Sequence, residues 1–339
     1  MIPARWWCSL EDGRVQCQLC PRGCRLGDGQ RGYCHVRRAH QGALVTEAFG
    51  VSSGFCVDPV EKKPLYHFHP GRQVLSFGTL GCNLGCSFCQ NWPLSRGSGG
   101  GLHATHPEDI VRMAQAQDCV GVAFTYNEPI VSAEFCLEVA AACREAGLVT
   151  VAVTSGYISD RARESFFAAM DAANVDLKGF SEAFYRDYCG GRLGPVLDTL
   201  AYLAHSGTTW LEVTTLLIPG ANDGEAELEA QCRWVAEHLG VDVPLHFSAF
   251  HPDHRLLDRP RTPLSTLRRA RDIAEAQGLR YVYLGNVLDE DAGTTWCHAC
   301  GSCLVEREGF AVQGQDLWHG SCPECGSQLP GIWEFNHRQ

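Results

Sequence analysis

The sequence predicts an α/β fold, a partial (βα)6-type parallel barrel with an N-terminal Cys-rich segment and a C-terminal ribbon module. Three observations predict it. From residue 74 onward, apolar strand-like runs alternate with amphipathic helical patterns, and such alternation means right-handed crossovers and a parallel sheet. Ahead of that region, four cysteines at 17, 20, 24 and 34 fall within eighteen residues. Behind it stand two cysteine knuckles, Cys297-His298-Ala299-Cys300-Gly301 and Cys322-Pro323-Glu324-Cys325-Gly326. Four segments result: a Cys-rich metal-binding segment over 1–40, an extended connector over 41–73, the barrel core over 74–290, and the ribbon over 291–339.

The first segment cannot build a core of its own, because Cys17, Cys20, Cys24 and Cys34 are interleaved with Gly and Pro rather than with periodic apolar residues. A bound metal must supply what packing does not. Zinc in a closed knuckle and a second iron–sulfur cluster both suit four thiolates, and spacing alone does not separate them. The connector carries Asp58-Pro59-Val60-Glu61-Lys62-Lys63-Pro64-Leu65-Tyr66-His67-Phe68-His69, charged and aromatic without helical or strand period. That pattern predicts an extended surface segment, with Lys62 and Lys63 solvated and His67 and His69 on the surface or capping.

Strand-like runs follow at 74–77, 120–125, 148–154, 173–177, 210–218, 244–250 and 281–284. Helical spacing occupies Pro107 to Gln117, Ala133 to Ala146, Asp160 to Ala169, Val196 to His205, Glu225 to Leu239 and Pro263 to Gln277, with Pro107 and Pro263 suited to first turns. In such a barrel the chemistry sits at the carboxyl ends of the strands. There the sequence offers Tyr126-Asn127-Glu128-Pro129, Thr154-Ser155-Gly156-Tyr157, Asp176-Leu177-Lys178, Ile218-Pro219-Gly220 and Phe250-His251-Pro252.

After the first barrel strand comes Gly81-Cys82-Asn83-Leu84-Gly85-Cys86-Ser87-Phe88-Cys89. Three thiolates this close, with glycines that let the backbone wrap inward, can point at one object the size of a metal cluster. A structural zinc site wants four closed ligands; a triplet leaves one iron of a four-iron cluster open to a substrate. The residues Met1 to Trp7 begin no charged-then-apolar signal peptide, so a cytoplasmic chain is expected, in which clustered cysteines bind metal or do redox work.

In the ribbon, Cys297, Cys300, Cys322 and Cys325 form paired knuckles whose glycines turn backbone amides toward sulfur, a pattern that predicts structural zinc with Trp296, Trp318 and Trp333 as cover. Cys303 lacks the following glycine and is left out of the first shell. The remaining single cysteines, such as Cys119, Cys136 and Cys143, read as small buried hydrophobes. A net charge of −11 argues against a nonspecific nucleic-acid surface, and no run of eighteen apolar residues predicts a membrane span.

Cys82, Cys86, Phe88 and Cys89 match, position for position, the cysteine pattern of radical S-adenosylmethionine (radical SAM) enzymes, and the chain resembles that superfamily. The resemblance implies a 4Fe-4S cluster on Cys82, Cys86 and Cys89 whose open iron chelates S-adenosyl-L-methionine. Reductive cleavage then yields a 5'-deoxyadenosyl radical that abstracts hydrogen from a substrate. Among these enzymes the chain is similar to the activases of glycyl radical enzymes, such as pyruvate formate-lyase activating enzyme. That similarity implies SAM contacts at Glu128, Thr154, Ser155, Lys178 and His251. Tyr126 and Asn127 stand where the activases have two glycines, and Val153 where they have an aspartate. From Cys17 through the connector to the ribbon the chain also resembles the radical SAM member of the AmmeMemoRadiSam system, which implies Memo-type and AMMECR-type proteins as partners and a one-electron reductant such as ferredoxin or flavodoxin. Two other expectations stay open: a glycyl radical activase, and a non-catalytic iron–sulfur and zinc protein for electron transfer or assembly.

Overall fold

The computed structural model describes residues 2–96 and 101–333, so the ribbon's last six residues, 334–339, lie outside the described range. The main sheet contains β1 (Phe55–Pro59), β2 (Gln73–Phe77), β3 (Gly121–Phe124), β4 (Val149–Thr154), β5 (Ala172–Asp176), β6 (Trp210–Leu217), β7 (Leu245–Ala249) and β8 (Val282–Gly285). Between its parallel strands run α1 (Pro107–Ala116), α2 (Ala133–Glu145), α3 (Asp160–Phe167), α4 (Gly194–Ser206), α5 (Glu225–His238) and α6 (Leu264–Ala276). The spatial order is β8-β7-β6-β5-β4-β3-β2-β1, with β1 and β8 at the two edges, so the barrel is partial. Six βα units and a closing strand match the sequence expectation.

Local pattern explains these elements. In α1, Ile110, Val111 and Ala114 are buried on one face, the three- and four-residue spacing of an amphipathic helix. The parallel strands are buried on both faces, though the inner face also carries polar residues such as Ser76, Asn174, Glu212 and His246. On β2, Leu75 and Phe77 join the core beneath the helices while Val74 turns to the opposite, inner face. Pro107 opens the first turn of α1. Pro263 corrects its expectation: it is the extended N-cap of α6, with ψ 148°, and the helix begins one residue later.

The connector departs most from expectation. Residues 55–59 are β1, paired antiparallel to β2 with Phe55 opposite Phe77. Val60, Leu65 and Phe68 then pack against Val74, Ala123, Val151 and Ala172, filling the amino end of the barrel interior. Its charged residues look solvated in sequence because their partners lie far away in the chain. Lys63 is buried and bonds Asp58 at 2.7 Å, while only Lys62 keeps a half-exposed side chain. Glu61 pairs with Arg307 at 3.3 Å, both side chains fully buried. His67 is fully buried too, its Nε2 2.6 Å from Tyr283 Oη and its Nδ1 2.7 Å from the Pro330 carbonyl. His69 is buried as well.

Glu212 on β6 is the hub of this plug. Its carboxylate accepts from the Tyr66 amide (2.9 Å), the His67 amide (2.7 Å) and Trp210 Nε1 (3.0 Å), and lies 2.7 Å from His246 Nε2. Burial opposes ionisation, but the contacts with His246 and the two amides outweigh it and hold this carboxyl below its ordinary range.

The terminal segments fold onto the barrel. In the N-terminal segment, Val15, Cys17, Leu19, Leu26, Ala39 and Leu44 enter the main core, so its few apolar residues are spent on the barrel rather than on a core of its own. The buried pair Arg37–Glu134 (2.8 Å) ties it to α2, and the Arg5 amide adds a 2.7 Å bond to Glu134. The ribbon is a three-stranded antiparallel sheet around Cys297, Leu304, Val305, Leu317, Cys322 and Leu329. Arg307 anchors it to the connector through the Tyr66 carbonyl at 2.7 Å. Trp333 packs on this module, whereas Trp318 is 72% exposed and covers nothing there, which corrects its expected role.

Candidate active site

The carboxyl end of β2 leads into the Cys82 loop, whose path is held by many short contacts. The Gly81 amide donates to the Leu94 carbonyl (2.9 Å), the Gly85 amide to Cys189 (2.7 Å) and the Ser87 amide to Tyr188 (2.8 Å). Gly81 has φ +87°, and a Cβ there would collide with the Cys34 carbonyl, so glycine is demanded twice. Asn83 donates to the Tyr157 carbonyl at 2.7 Å, and Phe88 is buried against Phe184.

Cys82, Cys86 and Cys89 open onto a cavity of about 280 Å³, and Glu128, Thr154, Ser155 and Lys178 line the same cavity. Seven of the residues expected from sequence thus converge from four strand ends. His251 does not: it is exposed beyond β7, its Nδ1 3.3 Å from the Pro252 carbonyl, and it is absent from the cavity lining. The chain turns outward there, and Ser248, one residue from the end of β7, faces the cavity instead.

Several lining residues escaped sequence reading. Thr214, Leu216, Ser248 and Asn286 line the cavity, and Thr214 with Leu216 continue the two-residue inward period that Glu212 begins on β6. Cys189, one of the single cysteines, lies by Cys86 and draws that thiol below its ordinary value, with Lys178 helping against burial. Burial pushes the Cys82 thiol well up and raises Cys89. Among the described residues, only Cys297, Cys300, Cys322 and Cys325 bring all their ligand atoms within 4.8 Å of one another. The Cys82 triplet is therefore spaced too widely for one shared metal ion and suits the corners of a cluster.

The polar wall is organised around Glu128. Its Oε1 accepts from the Thr154 hydroxyl (2.5 Å) and the Ile130 amide (3.2 Å), and its Oε2 from the Ser155 hydroxyl (2.6 Å) and amide (2.9 Å). All four lone-pair positions are engaged. Burial nonetheless pushes this carboxyl up, against the bonds from Ser155 and Thr154. Opposite, Lys178 Nζ bonds Asp176 at 2.8 Å. Burial there disfavours the cation, and Asp176 with Cys86 overcomes it, so the ammonium stays charged beside the thiols.

Tyr126 and Asn127 have structural reasons. Tyr126 adopts φ +70°, a left-handed conformation that glycine takes without strain. Its hydroxyl donates to Asp58 Oδ2 at 2.9 Å, and Asp58 also takes Lys62 (2.8 Å) and Lys63 (2.7 Å). Burial works against ionisation of Asp58, and the two lysines prevail, so its carboxyl sits far below the ordinary range. Asn127 accepts from the Thr79 amide (2.7 Å) and donates to the Gly81 carbonyl (2.9 Å), bracing the Cys82 loop. Tyr126→Phe is expected to cost about 2 kcal/mol of stability, the worth of a hydrogen bond to a charged group. Denaturation midpoints of the two proteins check this, and a change within about 0.5 kcal/mol would mean the hydroxyl does not hold the turn.

Comparison with known proteins adds the following. The family model described as the radical SAM superfamily matches residues 77–231. An uncharacterised protein of Methanocaldococcus jannaschii is 39% identical over 333 residues, covering 97% of this chain and 99% of that one. The benzylsuccinate synthase activating enzyme of Thauera aromatica is 24% identical over 256 residues, 72% of this chain and 76% of its own. The crystal structure of a radical SAM methyltransferase from Sphaerobacter thermophilus aligns with TM-score 0.50 and 18% identity over 70% of this chain and 71% of that one, a likeness of fold.

Proposed function

Since this chain belongs to the radical SAM superfamily, we propose that it cleaves S-adenosyl-L-methionine reductively at a 4Fe-4S cluster on Cys82, Cys86 and Cys89, so that a 5'-deoxyadenosyl radical takes hydrogen from its substrate. The observation that carries this reading is one cavity shared by the three thiols, Glu128, Thr154, Ser155 and Lys178. Glu128 has no free lone pair, so its work is to orient the Thr154 and Ser155 hydroxyls, which while donating to it keep lone pairs that can accept from the methionine ammonium. The Lys178 ammonium, fixed by Asp176, suits the methionine carboxylate. Leu84, Phe88, Val153 and Leu216 give the cavity apolar walls, which exclude water from a reactive radical. His251 lies outside this cavity. The ribbon's four thiolates, packed closely enough for one tetrahedral ion, support the reading of zinc there.

A glycyl radical activase is the second reading, favoured by likeness to the benzylsuccinate synthase activating enzyme along most of both chains. Memo-type and AMMECR-type proteins are the partners we would test first, with ferredoxin or flavodoxin as electron source. Anaerobically reconstituted protein given dithionite and S-adenosyl-L-methionine is expected to release 5'-deoxyadenosine and methionine in equal amounts. No turnover by protein with an intact cluster would sink the enzyme reading in favour of electron transfer or assembly.

A further inference from the structure

The N-terminal cysteines form a site outside the cavity. We propose that Cys17, Cys20, Cys24 and Cys34 hold a second iron–sulfur cluster, of the four-iron type and seated directly behind the Cys82 loop, and not a structural zinc.

Convergence comes first. The Cys20 thiol feels the charge of all three quartet neighbours, Cys17 that of Cys34 and Cys24, and Cys34 that of Cys24. At Gly32 a Cβ would stand 3.6 Å from Cys24 Sγ and 3.8 Å from Cys34 Sγ, so two of the sulfurs crowd the same glycine. Backbone amides of Leu19, Arg22, Val36 and Arg37 lie against the Cys17, Cys20 and Cys34 sulfurs, the arrangement that stabilises bound thiolates.

Spacing then chooses the metal. A tetrahedral zinc with bonds of about 2.3 Å draws its sulfurs to about 3.8 Å apart. The ribbon meets that demand, with Cys297 Sγ 3.6 Å from Cys325 Sγ and Cys300 Sγ 3.6 Å from Cys322 Sγ. The quartet is not gathered in this way: among the described residues, it is the ribbon's four cysteines that bring their ligand atoms within 4.8 Å of one another. In this it resembles the Cys82 triplet, not the ribbon. One chain thus contains a tight set and two wide sets, and a wide set fits thiolates at the corners of a cluster.

Charge gives an independent sign that something anionic belongs there. Arg37 is 1% exposed, and its two terminal nitrogens bond Glu134 (3.0 and 2.8 Å) and the Arg5 carbonyl (2.7 Å). Its Nε is buried without a partner, while its charge acts on Cys17 and Cys34. A buried guanidinium with a spare N–H beside Cys17 and Cys34 is well matched to a cluster carrying net negative charge.

The seat is the back of the catalytic loop. The Cys34 carbonyl touches Gly81, next to Cys82, and Tyr33 Oη touches Gly85, next to Cys86. Arg22 lies 3.7 Å over the Tyr33 ring and donates to the Asn83 carbonyl at 2.8 Å. Two clusters so arranged would be near enough for their reduced spins to interact.

Metal content of the anaerobically purified chain tests the proposal. Wild type is expected to hold about eight iron and about one zinc, and the variant C82A/C86A/C89A about four iron and about one zinc. After dithionite that variant should show the paramagnetic resonance of one cluster, and the wild-type spectrum should be broadened beyond the sum of two isolated centres. About four iron with two zinc in wild type, fewer than about three iron in the variant, or an unbroadened spectrum of two full clusters would overturn it. The wild-type count needs no substitution, so a variant that fails to fold leaves the test intact. The assignment of metal does not depend on SAM cleavage: a chain with eight iron that released no 5'-deoxyadenosine would defeat the proposed function alone.

Discussion

Cys89→Ala is expected to bring release of 5'-deoxyadenosine down to the level without protein. Cys89 is one of only three thiols in the cavity, and it is steadied by Ser95 Oγ at 3.5 Å. A cluster with two remaining thiolates has no spare ligand on the loop, and a group that acts as a unit fails whole when one member is lost. Iron should fall by about four per chain while whatever metal the ribbon's four cysteines hold stays, because the two sites share no residue. Full cleavage by the variant would show that the cluster, or the chemistry, sits elsewhere. The fold should survive, because the loop is also held by the backbone bonds of Gly81, Gly85 and Ser87.

Glu212→Ala is expected to have the largest effect on stability, about 3–5 kcal/mol, as for removing one partner of a buried charged network. The substitution strands the Tyr66 and His67 amides, Trp210 Nε1 and His246 in the barrel interior, where water cannot replace the carboxylate. At roughly 2–4 °C per kcal/mol the melting midpoint should drop by about 10 °C. Glu212→Gln, which keeps one acceptor oxygen, should lie between. A midpoint within 2 °C of wild type would mean that the hub is decorative.

The same network sets an acid limit. The folded Glu212 carboxyl lies below its ordinary value of 4.5, so its stabilisation is present above that pH and lost as pH falls through the folded value. Burial lowers His67 from 6.5 to about 4, so the unfolded chain takes up a proton that the folded one refuses between those values. Both effects have one sign: stability should decline progressively as pH falls below about 6.5, and in Glu212→Ala the part below 4.5 should shrink. Melting curves across pH 4–8 read this directly, and a stability that rose on acidification would contradict it.

How much was legible depended on the range of the interaction concerned. The six βα units were legible because helix and strand periods are written within windows of ten residues, and the structure reproduces all six. The Cys82 triplet and the ribbon were legible because chelation by a short loop needs ligands two or three residues apart. The connector was not: Asp58, Glu61, Lys63 and His67 carry the composition of a surface and lie in the interior, because Arg307, Tyr283 and Glu212 neutralise or bond them from 145 or more residues away, and Lys63 meets Asp58 across the turn into the plug.

The sequence by itself determined the superfamily resemblance and where cluster chemistry could sit, since three cysteines, an aromatic and two glycines in one loop can converge on a cluster whatever surrounds them. Tertiary structure alone decided which side chains meet it. His251 follows a strand end and still is exposed outside the cavity lining, while Ser248, Asn286 and Cys189 arrive at the site from β7, the end of β8 and the segment after β5. Tyr126 holds a glycine's conformation because Asp58 is 68 residues away in sequence and 2.9 Å away in space. The choice between zinc and cluster for the N-terminal quartet is of the same kind. Spacing in sequence says only that four thiolates can converge; how the segment packs on the barrel supplies the buried Arg37 and the seat behind the Cys82 loop on which the proposed cluster rests.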